Sequence, residues 1–473
     1  MDAGRTRIKA TRELPRARGP HPTNGALERA VLVGIQLPGE ALDISSSLDE
    51  LEQLAASVGV ETVGRLTQKL DEPNPSYYVG KGKVQELVDL CGRTSATLAI
   101  FDDELKPHTQ QELESLLGIR VVDRTLLILD IFAHRAHTHE GRVQVELAQY
   151  KYLLPRLTGR GTQLSRLGGG IGTRGPGETK LEFDRRRIRQ HISKLEKDIE
   201  SIRQQRQVHR GLRQRKEMPL ASLIGYTNVG KSTLLNRLTG SSVEAADKLF
   251  ATLDTTTRKL LLPSGQEVLV SDTVGFIAKL PTTLVAAFRA TLEELEEADL
   301  LLHVVDITDP KVEHSVRVVE EILDELKLGD KPVITVLNKA DRLLPAGSRE
   351  EEGADPLGTM KPEALGLQPV PGTVLVSAER GWGVASLLET LDEALNAGSV
   401  EVQVTVPFGN SELVDLFRRR GAVEREEHLP EGTSLRGKLP LRYLPRFERF
   451  VTGPGERNGG QRDGSPADAE GKA

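Results

Sequence analysis

Eight residues constrain this chain more than any others: Gly225, Tyr226, Thr227, Asn228, Val229, Gly230, Lys231 and Ser232, a Gly-x-x-x-x-Gly-Lys-Ser pattern. The apolar run Leu220-Ala-Ser-Leu-Ile224 precedes it, and Ser232-Thr-Leu-Leu starts a helix. The pattern needs that strand–loop–helix setting. There, backbone N–H groups from Asn228 to Ser232 turn inward around an anion, and the helix N-terminus adds its partial positive charge. Further apolar runs at 259–262, 267–271, 300–305, 333–337 and 373–377 leave room between them for crossover helices. An α/β domain with a mainly parallel sheet is therefore expected over residues 219–397.

Four more motifs follow in order. Phe250, Ala251, Thr252, Leu253 and Asp254 form the second; Asp272, Thr273, Val274 and Gly275 the third. Asn338, Lys339, Ala340 and Asp341 form the fourth, and Ser377, Ala378 and Glu379 the fifth. Together they describe a site for GTP and magnesium (Mg2+). Lys231 bridges β- and γ-phosphate oxygens, Ser232 ligates the metal, and Asp272 holds a metal-bound water. Thr252 is the choice for the second hydroxyl on the metal, although spacing alone leaves Thr255, Thr256 and Thr257 open. The Gly275 N–H reaches the γ-phosphate, and departure of that phosphate releases the loop. Lys231, Thr252 and Gly275 are thus the expected catalytic set. Asp341 accepts from guanine N1–H and the exocyclic amine, donors that adenine lacks on that edge. Lys339 covers the base, and the Ala378 N–H is expected on guanine O6. Phe276 stands where a water-orienting Gln often follows such a motif, so slow intrinsic hydrolysis is expected. Asn228 suggests a potassium ion (K+) that supplies charge in the transition state.

The chain has 473 residues, 38% of them hydrophobic, enough for two or three cores. Its formal net charge of −6 excludes a uniformly basic nucleic-acid binder. Basic residues gather instead at Arg5–Arg18 and from Arg185 to Lys216, where a local polyanion contact competes with an ordinary solvated face. With Cys91 as the single cysteine, no disulfide framework forms within the chain. No apolar run is long enough to span a bilayer, and a cytoplasmic monomer is expected. Residues 1–25 read as a disordered basic tail, and 26–139 alternate strands and helices as an N-terminal α/β domain. Within 140–218, Ile188, Ile192, Leu195, Ile199 and Ile202 recur as a coiled-coil seam, so an antiparallel helical hairpin is expected. Its tip is the glycine-rich stretch 167–181. A polar insertion covers 343–371, a small C-terminal α+β module 398–451, and a disordered tail 452–473.

Gly168–Leu181 with Glu182-Phe-Asp184, Tyr78-Val-Gly-Lys-Gly-Lys83 and Asp123-Arg-Thr-Leu-Leu-Ile-Leu-Asp130 resemble the signatures of HflX-type GTPases, within the translation-factor-related GTPases. The resemblance runs from about residue 29 to about 450. It implies nucleotide contacts at 225–232, 250–254, 272–275, 338–341 and 377–379, with Ser232 and Thr252 as magnesium ligands. It also implies association with the large (50S) ribosomal subunit and its rRNA, and the separation or rescue of stalled ribosomes under stress. Arg160, Arg166, Arg174 and Lys180 at the hairpin tip suit contacts to RNA phosphates.

Two other readings compete. One is a GTP-gated RNA-binding assembly factor without significant turnover; the other is an ATP-driven RNA remodeller, against which Asp341 argues. His134, His137 and His139 with Glu140 match no standard zinc spacing and read as solvent- or RNA-facing.

Overall fold

The computed structural model describes residues 28–39, 43–157, 176–216, 218–240, 249–250, 252–279, 281, 294–344, 355–358, 360–365, 372–440 and 443–452. The expected N-terminal tail, nearly all of the C-terminal one, much of the glycine-rich tip, most of the 343–371 insertion and Ala251 lie outside the described residues.

The chain first alternates β1 (Arg29–Gln36), α1 (Ile44–Ser57), β2 (Glu61–Lys69), α2 (Lys81–Thr94), β3 (Leu98–Phe101), α3 (Pro107–Leu117) and β4 (Arg120–Asp123). The strands pair in the order β2-β1-β3-β4, all parallel. β1 and β3 are apolar at nearly every position because both of their faces are covered. Ala30 and Leu32 pack under α1 and two later helices, α4 (Arg124–Arg135) and α5 (His139–Arg156). Val31, Val33 and Ile35 face α2 and α3. From β1 the chain crosses to β2 on one side, and from β3 to β4 on the other. In a doubly wound sheet that divergence opens a crevice beyond the strand ends.

Helix α5 is buried on two sides. Val145, Ala148 and Tyr152 belong to the N-terminal core, whereas Val143, Leu147 and Tyr150 meet Ile188 and Leu195 of α6 (Pro176–Lys216). The hairpin is thus welded to the first sheet along its shorter arm.

The second sheet comprises β5 (Leu220–Ile224), β6 (Thr256–Leu261), β7 (Glu267–Asp272), β8 (Leu300–Asp306), β9 (Val333–Asn338) and β10 (Thr373–Leu375). Its order is β10-β9-β8-β5-β7-β6, parallel except for β6. Helices α7 (Lys231–Thr239), α8 (Val312–Glu325) and α9 (Val384–Leu395) pack on its faces. The loops that leave β5, β7, β9 and β10 start at the carboxyl edge of this sheet, so four of the five motifs gather along one rim.

A third sheet, β11 (Ser399–Val406), β12 (Ala422–Leu429) and β13 (Gly432–Pro440), is antiparallel in the order β11-β13-β12. One face packs on α10 (Ser411–Arg420) through Val404, Phe417, Leu435 and Leu439. Among the described residues no helix is long and apolar enough to cross a membrane.

Candidate functional site

The loop after β5 bends where its sequence permits it. Gly225 (φ 147°) and Gly230 (φ 95°) lie in backbone regions that favour glycine. A Cβ on Gly225 would run into the Val304 carbonyl, and one on Gly230 into the Asn338 side chain. Gly230 caps α7, so the free N–H groups of that helix open into a cleft of about 510 Å³. Thr227, Asn228, Lys231 and Ser232 line the cleft together with Thr252, Gly275, Lys339, Asp341, Ala378 and Glu379.

Lys231 is buried, and its Nζ donates to the carbonyls of Gly225 at 3.0 Å and Tyr226 at 2.7 Å. Burial pushes this ammonium down to about 8, against the pull of Asp272. Ser232 Oγ donates to Asp272 Oδ2 at 2.6 Å, Thr252 Oγ1 does so at 3.0 Å, and the two hydroxyls lie 2.6 Å apart. Asp272 Oδ1 is buried with no hydrogen-bond partner among the described residues. Two hydroxyls and a half-satisfied carboxylate form an all-oxygen donor set that suits a hard divalent cation such as Mg2+. Burial raises the Asp272 carboxyl, and a cation beside it would favour the ionised form. The other threonines go elsewhere: Thr255 donates to Glu294 at 3.0 Å, and Thr256 and Thr257 enter β6.

At the far end of the cleft, Asn338 braces two loops. Its Nδ2 donates to the Val229 carbonyl at 2.7 Å, and its Oδ1 accepts from the Ala378 N–H at 3.0 Å. The Ala378 N–H, expected on guanine O6, here donates to Asn338, whose amide holds the fifth motif in place. Lys339 bridges to Asp306 at 2.6 Å and to the Asn228 carbonyl at 3.0 Å, which lays its stem along the cleft beside Asp341. Ser377 is buried and accepts from the Arg380 N–H at 3.2 Å. Ala340 is buried under Leu344 and Leu375. Arg237 of α7 clasps the carbonyls of Ala378 and Glu379, a tie that no motif announces.

The second and third motifs depart most from expectation. Leu253 and Asp254, expected on the nucleotide, serve the first domain instead. Leu253, Phe250, Val274 and Ile277 belong to the N-terminal core, with Phe250 edge-on to Phe132 at 4.7 Å. Asp254 accepts from the N–H groups of His137 and Thr138, both at 2.8 Å, and from the Thr138 hydroxyl, which caps α5. Thr273 donates to the Leu223 carbonyl at 2.6 Å. Phe276 joins the loop after β5 through backbone bonds with Gly225 and Thr227, and its ring is buried among Ile224, Leu295 and Val319. It offers nothing to a water beside a γ-phosphate.

Sequence reasoning missed a charged cluster that joins the domains. Arg124, 1% exposed, donates to Asp102 at 2.9 Å, to Glu50, and to the Ala278 carbonyl at 3.0 Å. Tyr226 donates to Glu50 and accepts from the Ala278 N–H at 2.8 Å. An arginine and an aspartate inside apolar stretches were the available signal, since such charges are buried only when paired.

Three family models match in succession: the N-terminal region of GTP-binding GTPases over 45–133, their middle region over 135–213, and the 50S ribosome-binding GTPases over 221–339. The GTPase HflX of Caldanaerobacter subterraneus subsp. tengcongensis is 44% identical over 426 residues, covering 90% of this chain and 94% of its own. That of Escherichia coli K12 is 41% identical over 418 residues, 88% of this chain and 94% of its own. A GTP-binding protein of Sulfolobus solfataricus, solved with GDP, is 24% identical with a TM-score of 0.39, over 78% of this chain and 98% of that one. Identity of this extent, over nearly the whole of both chains, decides the assignment. The chain belongs to the HflX family of GTPases, which bind GTP and hydrolyse it.

Proposed function

We propose that this GTPase associates with the large ribosomal subunit, through its hairpin and rRNA, and separates or rescues stalled ribosomes under stress. The observation that carries the reading is mechanical. The sheet and hairpin that would meet RNA are fastened to the second and third motifs, the segments that respond to a γ-phosphate. The match of residues 221–339 to 50S ribosome-binding GTPases supports the same partner. The protein acts as a monomer in the cytoplasm.

In this reading the N–H groups of residues 228–232 and the Lys231 ammonium hold the phosphates. Ser232 and Thr252 would hold Mg2+, with Asp272 beside them; bound there, the metal would neutralise charge on the phosphate oxygens. Gly275 gives its N–H to the γ-phosphate. Asp341 takes the two guanine donors while Lys339 covers the ring. With Phe276 buried, no side chain of the third motif orients the attacking water, so turnover alone is slow. Ribosomal contact speeds it by ordering these loops, and K+ held by Asn228 supplies further positive charge.

Single-turnover hydrolysis with and without purified large subunits tests this. A missing transition-state group is worth about a hundredfold or more, and stimulation of that order is expected. Hydrolysis indifferent to large subunits would contradict the reading and favour a GTP-gated assembly factor.

A further inference from the structure

The carboxyl ends of β1 and β3 border the crevice in which doubly wound sheets take their ligands. Here a side chain of the GTPase domain reaches the residues that follow β3. Lys279 Nζ lies 2.7 Å from Asp102 and 2.8 Å from Asp103, at the end of β3. Asp102 is fully buried and also accepts from Ser47 of α1 at 2.7 Å and from Arg124 at 2.9 Å. Lys279 follows Gly275 by four residues, on the segment that must approach a γ-phosphate. Its φ of 54° is unusual for a lysine and persists because the surroundings over-determine it. Arg124 grips the Ala278 carbonyl from one side, and Tyr226 holds the Ala278 N–H from the other.

The second motif is held with equal thoroughness. Thr252 stands between two anchors, Phe250 against Phe132 and Asp254 on His137 and Thr138 at the cap of α5. Gly141 makes that approach possible, because a Cβ there would strike the Asp254 carboxylate. With both anchors seated, Thr252 lies against Ser232 and Asp272. Docking of the N-terminal domain and closure of the metal side of the cleft therefore occur in one and the same arrangement.

We propose that the N-terminal domain sets the preference of this chain for GTP over GDP, with Lys279 and Asp254 as positioning residues that hold Gly275 and Thr252 where a γ-phosphate and its metal need them. GDP has no γ-phosphate for these groups to meet, so its affinity draws little on the docked arrangement. Coupling is reciprocal: if docking favours GTP, GTP tightens docking to the same degree. The inference rests on the GTPase site alone and not on the ribosomal reading.

The test uses the full chain with Mg2+, titrated with fluorescent GDP and with a fluorescent non-hydrolysable GTP analogue. Lys279→Met and, separately, Asp254→Ala should each weaken the analogue about tenfold, within the usual range of coupling, and GDP by no more than about twofold. Lys279→Arg, which keeps a cation for Asp102 and Asp103, should recover most of the loss. In the unmodified chain, hydrogen exchange at His137 and Thr138 should be slower with the analogue than with GDP. Equal loss for both nucleotides would reveal a merely structural role and overturn the proposal. Unchanged or tightened analogue binding would overturn it, as would exchange indifferent to the nucleotide. GDP binding by the unmodified chain separates these failures from failure of the nucleotide site itself.

Discussion

Replacing Arg124 by Met removes the cation at the centre of the domain junction while filling much of its volume. Arg124 is 1% exposed, and its chief partner, Asp102, is fully buried. The cost of burial already lowers the guanidinium to about 10. Without it, Asp102 retains Ser47 and Lys279, both at 2.7 Å, while Glu50 retains Tyr226 and the Ala278 carbonyl is left without this donor. Removing one member of a buried pair typically costs about 3–5 kcal/mol. The surviving Lys279 contact places Arg124→Met near the lower end, about 3 kcal/mol. Urea unfolding of the GDP-saturated protein, followed by circular dichroism, should then show a first transition about 1–3 M lower. Adding Asp102→Asn removes one of the negative charges left in excess, so the double variant should regain part of the loss. A midpoint that barely moves, or a double variant as unstable as both changes summed, would refute the argument that a paired charge holds this junction.

Three further outcomes follow from the nucleotide site. Asp341→Asn sets an amide donor against the guanine donors and should weaken GDP by about 1–3 kcal/mol, roughly fivefold to 150-fold; unchanged binding would remove Asp341 from the base. Lys231, held down to about 8 by burial, regains its proton when a phosphate settles beside it. Nucleotide binding therefore takes up a proton above that pH, and GDP affinity should fall as pH rises from about 8 toward 10. Calorimetry in buffers of different ionisation heat reads the uptake directly, and heats independent of buffer would contradict it. Hydrolysis should be faster in K+ than in Na+ at equal ionic strength; equal rates would dispose of the ion at Asn228.

The sheet that carries the nucleotide site was legible because its strands are nearly continuous apolar runs and its loops carry glycines at positions no other residue fits. Gly225 and Gly230 announce their backbone; Val304 and Asn338, which enforce it, do not. In the C-terminal module, β11 showed in its alternating valines. β12 did not, because Glu424-Arg-Glu-Glu427 presents charge on both faces of an edge strand. β13 carries Gly432, Gly437 and Pro440, which read as turn residues. The second motif misled for another reason. Its spacing fixes Thr252 near the phosphates, but only the N-terminal domain determines that Leu253 and Asp254 turn away to meet α4 and the cap of α5. Glu50, Asp102, Arg124 and Lys279 lie far apart in sequence, and no local pattern unites them.

The central claim is that the nucleotide state of the cleft governs a ribosomal contact made by the domain fastened to it. Sedimentation of the intact protein with large ribosomal subunits, in GDP and in a non-hydrolysable GTP analogue, tests this most directly. The account predicts co-sedimentation with the analogue and release in GDP; binding equal in both states, or absent from both, would contradict it.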